Sequence, residues 1–450
     1  METIEAVNSK INSLVWGPYM LLLLLGTGVF FTVKLRGFQL FGFRIWWKST
    51  FMSALGRGKK NNRPESISSF QAMSTALAGS VGTGNIVGVA NAIALGGAGA
   101  VFWMWLAAFF GMGTIFAENV LGVKFREKRN GKYVGGPMYY IEKGLGCKWL
   151  AVVFAVLCTL AALGMGNMTQ SNSVAGALEN GFGVPVRVSG LVLACLVGLI
   201  IFGGIGRIAR FTEKLVPVMT IVYIIGVLTV IILNIKAVPH ALERIISEAF
   251  DFRAVSGGFM GYGMARAVKY GISRGVFSNE AGLGTSPVVH AAADTDDPCR
   301  QGMWGIFQVF VDTILLCTLM ALCILSTGSD QSGLDGIELS TLAFTGTLGS
   351  LGGVFISVSI ILFAFGTLVS WSYYGEKSLE YLSGSRFIKP YRIVYSVTVY
   401  FGCIMGISAV WEISDTLNGL MALPNLAALI LLSGRIKYSE LRLSAEKENF

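Results

Sequence analysis

Residues Leu77 to Asn91 read LAGSVGTGNIVGVAN and lie inside one of the chain's long apolar runs. A membrane-spanning helix needs about 20 mostly apolar residues. This one places Gly79, Gly82, Gly84 and Gly88 among Ser80, Thr83 and Asn85, near its middle. Each glycine costs about 1 kcal/mol relative to alanine inside a helix. Backbone groups freed within a bilayer cost more, unless they line a cavity or bind something. A helix broken at membrane depth is therefore a candidate binding site: amides at the start of a half-helix hold an anion, and unwound carbonyls hold a cation. The two together suit a zwitterion accompanied by a metal ion.

Of the 450 residues, 53% are hydrophobic and only 14% are charged, against about 25% charged in soluble domains; mean hydropathy is +0.64. Apolar runs recur along the whole length, and no polar stretch is long enough to bury a core of its own. The expectation is an all-α polytopic membrane protein, partnered by the lipid bilayer. The net charge of +9 does not point to nucleic acid, because Lys and Arg fall in short loops between apolar runs, where they orient a membrane protein. Seven scattered cysteines form no CxxC pair, so neither a disulfide nor a zinc site is expected. METIEAVNSKINS at the start is polar and of mixed charge, and no cleavable signal peptide is expected. His240 and His290 have no partner at metal-ligand or triad spacing. The glycine-rich stretch lacks the Lys-Ser/Thr ending of a phosphate loop. Neither an enzyme nor an ATP-driven motor is expected.

Eleven spans are expected, near 16–33, 68–95, 101–123, 150–178, 186–205, 215–235, within 257–293, and near 303–325, 351–373, 391–411 and 416–432. Lys34, Arg36, Arg44, Lys48, Arg57, Lys59, Lys60 and Arg63 follow the first span, and Lys124, Arg126, Lys128, Arg129 and Lys132 follow the third. Arg207, Arg210 and Lys214 follow the fifth, Lys377, Arg386 and Lys389 the ninth, Arg435 and Lys437 the eleventh. Alternating spans put all of these on one side, which is then the cytoplasm. The N-terminus is expected outside the cell membrane and the C-terminus inside. One helix followed by ten suggests residues 1–67 as an extra helix with a basic loop, 68–235 and 236–433 as five-helix repeats, and 434–450 as a tail. Five is odd, so the repeats are inverted, as in many secondary transporters whose repeats each begin with a broken helix. The seventh span fits, since Gly271 to Gly284 reads GISRGVFSNEAGLG.

GGAGAVFWMWLAAFFG at Gly96 to Gly111 resembles the signature of the alanine or glycine:cation symporter family, and GVFSNEAGLG at Gly275 to Gly284 resembles a second stretch of it. GGPMYYIEKGLG at Gly135 to Gly146 also fits. The resemblance covers nearly the whole chain. It implies membership of the amino acid–polyamine–organocation superfamily, a LeuT-type 5+5 inverted repeat with one extra N-terminal helix, and uptake of alanine or glycine with Na+, in some members H+. Na+ is then the coupling ion, with no other cofactor. The first broken helix is also similar to that of the neurotransmitter:sodium symporters, where a GNAVGLGN run holds two sodium ions and the substrate carboxylate. Matching Ala78 to Asn85 onto it implies that the Ala78 and Val81 carbonyls belong to the second sodium site, and the Ser80 carbonyl and Asn85 side chain to the first. The Thr83 and Gly84 amides would face the carboxylate, with Gly79, which stands where that family has asparagine, beside the substrate. An H+-coupled or uncoupled facilitator or channel is the alternative, and an amino-acid sensor a third class.

Each candidate has a plain structural reading beside the functional one. Gly84-x-x-x-Gly88 is also a helix-packing motif. Asn167, Gln170 and Ser171 share one face of the fourth span, where they either bond between helices or, for Gln170 and Ser171, contact the substrate. Phe277, Ser278 and Asn279 sit at the second break, as a helix cap or as the floor of a small pocket with Phe277 on the alanine methyl. Thr367 and Ser370, next to Trp371, either bond back to their own helix or, as the resemblance implies, serve the second sodium site beside a substrate-facing Trp371. Hydroxyl oxygens suit that hard cation. Intramembrane acids are functional candidates: Glu118 is expected to hold a broken helix through its amides, Glu280 to do the same or pair with Arg274, and Asp312 to ligate the first cation or carry a proton. Each of the three is otherwise a structural ion pair. Arg266 and Lys269 precede the second break, so that the helix begins after them or they face an aqueous vestibule.

Overall fold

The computed structural model describes residues 2–55, 66–129, 131–250, 262–405 and 408–447. The basic residues Arg57, Lys59, Lys60 and Arg63, and the start of the seventh span, lie outside them. Among the described residues six helices are long and apolar enough to cross a membrane, and two further helix pairs are bent by 60° and 58°. The expected count of eleven exceeds this. Val186–Ile201 is shorter than a full span, Ile388–Ile404 has 17 residues and carries Lys389 and Arg392, and the seventh span is interrupted.

The first broken helix begins cleanly because Ser68 and Gln71 cap it reciprocally: the Gln71 amide donates to Ser68 Oγ at 3.0 Å and the Ser68 amide to Gln71 Oε1 at 2.9 Å. Ser69–Ser80 then ends in extended backbone at Val81. A tight turn over Thr83–Asn85 leads into Val87–Gly96, and the halves meet at 60°. Gly82 is required by closeness, since a Cβ there would lie 2.6 Å from Thr367 Oγ1.

The second break falls later than expected. Tyr262–Asn279 is one helix through Gly271 and Gly275. Those glycines serve packing: a Cβ on Gly271 would meet the Ala100 carbonyl at 2.3 Å, and one on Gly275 would meet Met104 at 3.2 Å. The chain breaks over Glu280–Thr285 and resumes as Ser286–His290. Glu280 takes φ +59° there, a left-handed conformation uncommon outside glycine. Phe277 and Ser278 therefore sit on a last helical turn. Arg266 and Lys269 lie within the helix, Lys269 exposed and Arg266 half-buried, so the helix does not begin after them.

Around the breaks, Ser69–Ser80 packs on Ile205–Leu233 and Ser350–Ser383, and Val87–Gly96 packs on Tyr262–Asn279. Ala100–Lys124 lies against Tyr262–Asn279 and Pro298–Val309. Two spans contain wide π-helical turns, Gly164–Met168 and Phe310–Cys317, a geometry that recurs at functional sites. A small hairpin, Glu127–Arg129 with Lys132–Val134, follows the third span. The Lys143 ammonium, assisted by Arg129 and opposed by partial burial, holds the Glu127 carboxyl below its usual range.

Candidate functional site

Asn85 and Asp312 are fully buried and face each other. Asn85 Nδ2 donates to Asp312 Oδ1 and to the Asp312 carbonyl, both at 3.0 Å. Asn85 Oδ1 accepts from the Gly82 amide at 3.1 Å, which fixes the turn. The other carboxylate oxygen of Asp312 accepts from Ser278 Oγ at 2.8 Å and from Thr313 Oγ1 at 2.7 Å. Cys317 Sγ stands 3.4 Å from both Asn85 Nδ2 and Ser278 Oγ. Asp312, Thr313 and Cys317 all belong to the π-helical turn, so three elements meet: both broken helices and the eighth span. Ser80 is at the edge, with Oγ donating to the Leu77 carbonyl at 3.3 Å.

On the other side of the same break lies a second oxygen cluster. Thr367 Oγ1 reaches the Ala78 carbonyl at 3.1 Å, the Val81 carbonyl at 3.4 Å and its own helix at Phe363 at 3.2 Å. One turn on, the Ser370 hydroxyl is buried with no partner among the described residues. Helical spacing sets Ser370 between Thr367, which abuts Gly82, and Tyr374, whose hydroxyl oxygen abuts Gly79. This stripe faces the first broken helix.

The expected substrate residues divide. Thr83 Oγ1 lies 3.4 Å from Gln170 Oε1, and Gly84 faces the ring of Phe277, 3.5 Å from where its Cβ would be. Those four come together. Gly79 does not join them, for it packs against Tyr374. Ser171 also points elsewhere: its hydroxyl donates to the Met168 carbonyl at 3.1 Å, and a Cβ on Gly402 would lie 2.2 Å from its Oγ. Asn167 likewise donates to the Tyr395 carbonyl at 2.8 Å. The π-turn at Gly164–Met168 lies just before Gln170, and only Gln170 of the three faces the break. Ser278 serves Asp312, while Asn279 caps the end of its helix, accepting from the Ala281 amide at 3.0 Å and donating to Thr313 at 3.2 Å. Above Phe277 a cavity of about 250 Å³ opens, lined by Met165, Thr169, Arg274, Phe277, Glu412 and Asp415.

Two buried acids hold the second break. Glu118 Oε1 accepts from the Gly284 amide at 3.0 Å and from Asn425 Nδ2 at 2.5 Å, as expected of an acid that satisfies broken-helix amides. Asn425 also donates to the Gly282 carbonyl at 2.9 Å and accepts from the Tyr140 hydroxyl. Glu280 does not pair with Arg274. Its oxygens accept from Thr285 Oγ1 at 2.5 Å and from the Trp371 indole at 2.9 Å. Trp371, fully buried, thus braces the break. Thr313, Cys317, Tyr374, Asn425 and Tyr140 were not among the sequence candidates. Thr313, beside the intramembrane acid, carried the one readable signal.

The model of the sodium:alanine symporter family matches residues 1–447. The sodium/alanine symporter AgcS of Methanococcus maripaludis is 44% identical over 443 residues, 96% of each chain. The probable sodium/glutamine symporter GlnT of Bacillus subtilis is 39% identical over 434 residues, 96% of this chain and 89% of that one. Among solved structures, MhsT in complex with L-phenylalanine aligns with a TM-score of 0.62 at 14% identity, covering 86% of this chain and 93% of that one. At that identity the likeness speaks to fold, and the fold is the LeuT type.

Proposed function

Because the chain belongs to the sodium:alanine symporter family, we propose that its two broken helices hold the cargo of a Na+-coupled symporter that takes up alanine, and glycine with it, by alternating access. The observation that carries this reading is the convergence of two separate oxygen clusters on one unwound turn. Asn85, Asp312, Ser278 and the Ser80 carbonyl are assigned to a first Na+, with Thr313 beside them. The Ala78 and Val81 carbonyls, Thr367 Oγ1 and the Ser370 hydroxyl, which has no partner among the described residues, are assigned to a second. Hard cations prefer such oxygens.

The substrate carboxylate docks on the Thr83 and Gly84 amides, where the second half-helix presents its positive end. Gln170 lies beside them. Phe277 closes the pocket over a small side chain, and one methylene there discriminates by about 1–3 kcal/mol. The cavity above Phe277 is the entrance. It lies at the end opposite the basic loops, which faces outside if those loops are cytoplasmic. Bound cations straighten the unwound turn, and the broken helices then rock against the remaining spans.

Labelled alanine uptake into proteoliposomes, with and without an inward Na+ gradient, tests the reading. Accumulation above equilibrium that collapses with the gradient is expected. Uptake indifferent to Na+ would overturn Na+ coupling and leave Asp312 as a proton carrier.

A further inference from the structure

The end of the molecule that carries the basic loops holds a cavity the transport cycle does not use. It measures about 750 Å³ and is lined by Lys124, Leu145, Leu431, Arg435, Lys437 and Glu440, among others. Lys124 ends the span Ala100–Lys124 and Leu431 ends Ser408–Leu431, so the cavity sits at the boundary between apolar spans and the polar layer. Past Leu431 the chain bends by 58° into the C-terminal helix, and the cavity occupies that elbow. Its base is tightly built: a Cβ on Gly144 would lie 2.8 Å from Leu432 and 3.2 Å from Phe125. Lys124 is consumed there, since its ammonium donates to the Arg435 carbonyl at 2.7 Å and to Glu440. The Arg435 and Lys437 side chains are exposed and make no ion pair among the described residues.

The lining is two-sided. Arg435 and Lys437 offer positive charge, while Leu431, 69% exposed, and Leu145 offer apolar surface beside it. Four residues beyond Leu145, Trp149 is likewise 69% exposed, as aromatic side chains are at the headgroup level of a bilayer. A soluble anion would use the charges and leave Leu431 in water. A phospholipid uses both, and basic pockets between spans are where anionic headgroups bind.

We propose that this elbow binds one anionic phospholipid of the leaflet it faces, with the phosphate on Arg435 and Lys437 and the glycerol and upper acyl chains on Leu431 and Leu145. The occupant rests on the reading of the chain as a polytopic membrane protein but on no feature of the transport site.

The test measures phosphatidylglycerol retained by the purified full-length protein, by native mass spectrometry, after reconstitution in phosphatidylcholine vesicles containing phosphatidylglycerol. The wild type is expected to keep one phosphatidylglycerol. Arg435→Gln with Lys437→Gln is expected to bind it about 30-fold more weakly, the loss of two near-surface basic contacts. Arg386→Gln with Lys389→Gln, which removes equal charge from the same end outside the cavity, is expected to keep it. Na+-driven uptake by the first double variant in pure phosphatidylcholine, measured beside the wild type, confirms that it folds, whereas failure of both proteins would count against the transport reading and not against the lipid site. Equal retention by both double variants, retention of phosphatidylcholine as firmly, or displacement of the lipid by millimolar inorganic phosphate would each overturn the proposal.

Discussion

Asn85 shows how much one side chain carries. Its carbonyl oxygen takes the Gly82 amide, and its amide nitrogen donates twice to Asp312. Asn85→Ala leaves the Gly82 amide and one Asp312 oxygen short of partners in a buried site, at about 1–3 kcal/mol for each. Alanine uptake and its Na+ dependence are expected to disappear together in proteoliposomes, and retention of both would remove Asn85 from the site. Thr367 allows a finer test, because valine keeps its shape and drops the hydroxyl. Thr367→Val is expected to raise the Na+ concentration for half-maximal uptake about tenfold, the factor carried by about 1.4 kcal/mol, while Thr367→Ser restores it. A tenfold change in alanine affinity at saturating Na+ instead would move Thr367 to the substrate. Both residues were legible in the sequence, since a polar side chain in an apolar helix announces that it needs a partner. It does not say which partner: Ser171 and Asn279 carry the same signal, yet one bonds its own helix and the other caps it.

At the level of elements, the second break is the telling case. Its glycines at 271 and 275 read as a break and proved to be points of close helix contact, because packing and unwinding both favour glycine. The break itself lies at Glu280, held left-handed between a threonine hydroxyl and the Trp371 indole. Trp371→Phe keeps an aromatic ring but removes the indole N–H and the volume of its five-membered ring, so a buried carboxylate oxygen loses its partner. Loss of about 1–3 kcal/mol is expected as a lower melting temperature in detergent, with uptake reduced at temperatures where the protein remains folded. Wild-type melting and uptake would show that the indole N–H does not brace the break. The long apolar spans and the first break were legible from apolar length and interleaved glycines, but the count of eleven was not, because short or charge-bearing helices such as Val186–Ile201 and Ile388–Ile404 fall short of a full apolar span. The hairpin at Glu127–Arg129 and Lys132–Val134 was not, because its three-residue strands are too short to show an alternating pattern, and π-turns leave no hydrophobic period at all.

For the whole molecule, alternating access needs parts that move together, and the contacts identify them. Val87–Gly96 packs on Tyr262–Asn279, which joins the halves at the entrance end. At the basic end the Ile67 amide donates to the Ala292 carbonyl at 3.4 Å and the Asp294 amide to the Ile67 carbonyl at 2.7 Å. The start of the first broken helix is thereby tied to the end of the second. Arg126 fastens that knot to the third span. Its guanidinium donates to the Ala291, Ala293 and Thr295 carbonyls at 3.2, 2.8 and 2.5 Å and lies 3.8 Å over the Tyr133 ring. On the proposed transport cycle, opening toward the basic end is expected to break this clamp, and its strength to limit how often that side opens. Arg126→Gln is expected to speed amide hydrogen exchange across 286–297 by about tenfold or more, for three lost charge-assisted bonds, and to weaken Na+-driven accumulation through leak. Arg126→Lys, a point charge without the planar fork, should fall between. Exchange unchanged in Arg126→Gln would mean that the Arg126 bonds do not limit opening of this segment, and that the Ile67 hydrogen bonds and the packing of Ser286–His290 on Ala100–Lys124 hold it instead.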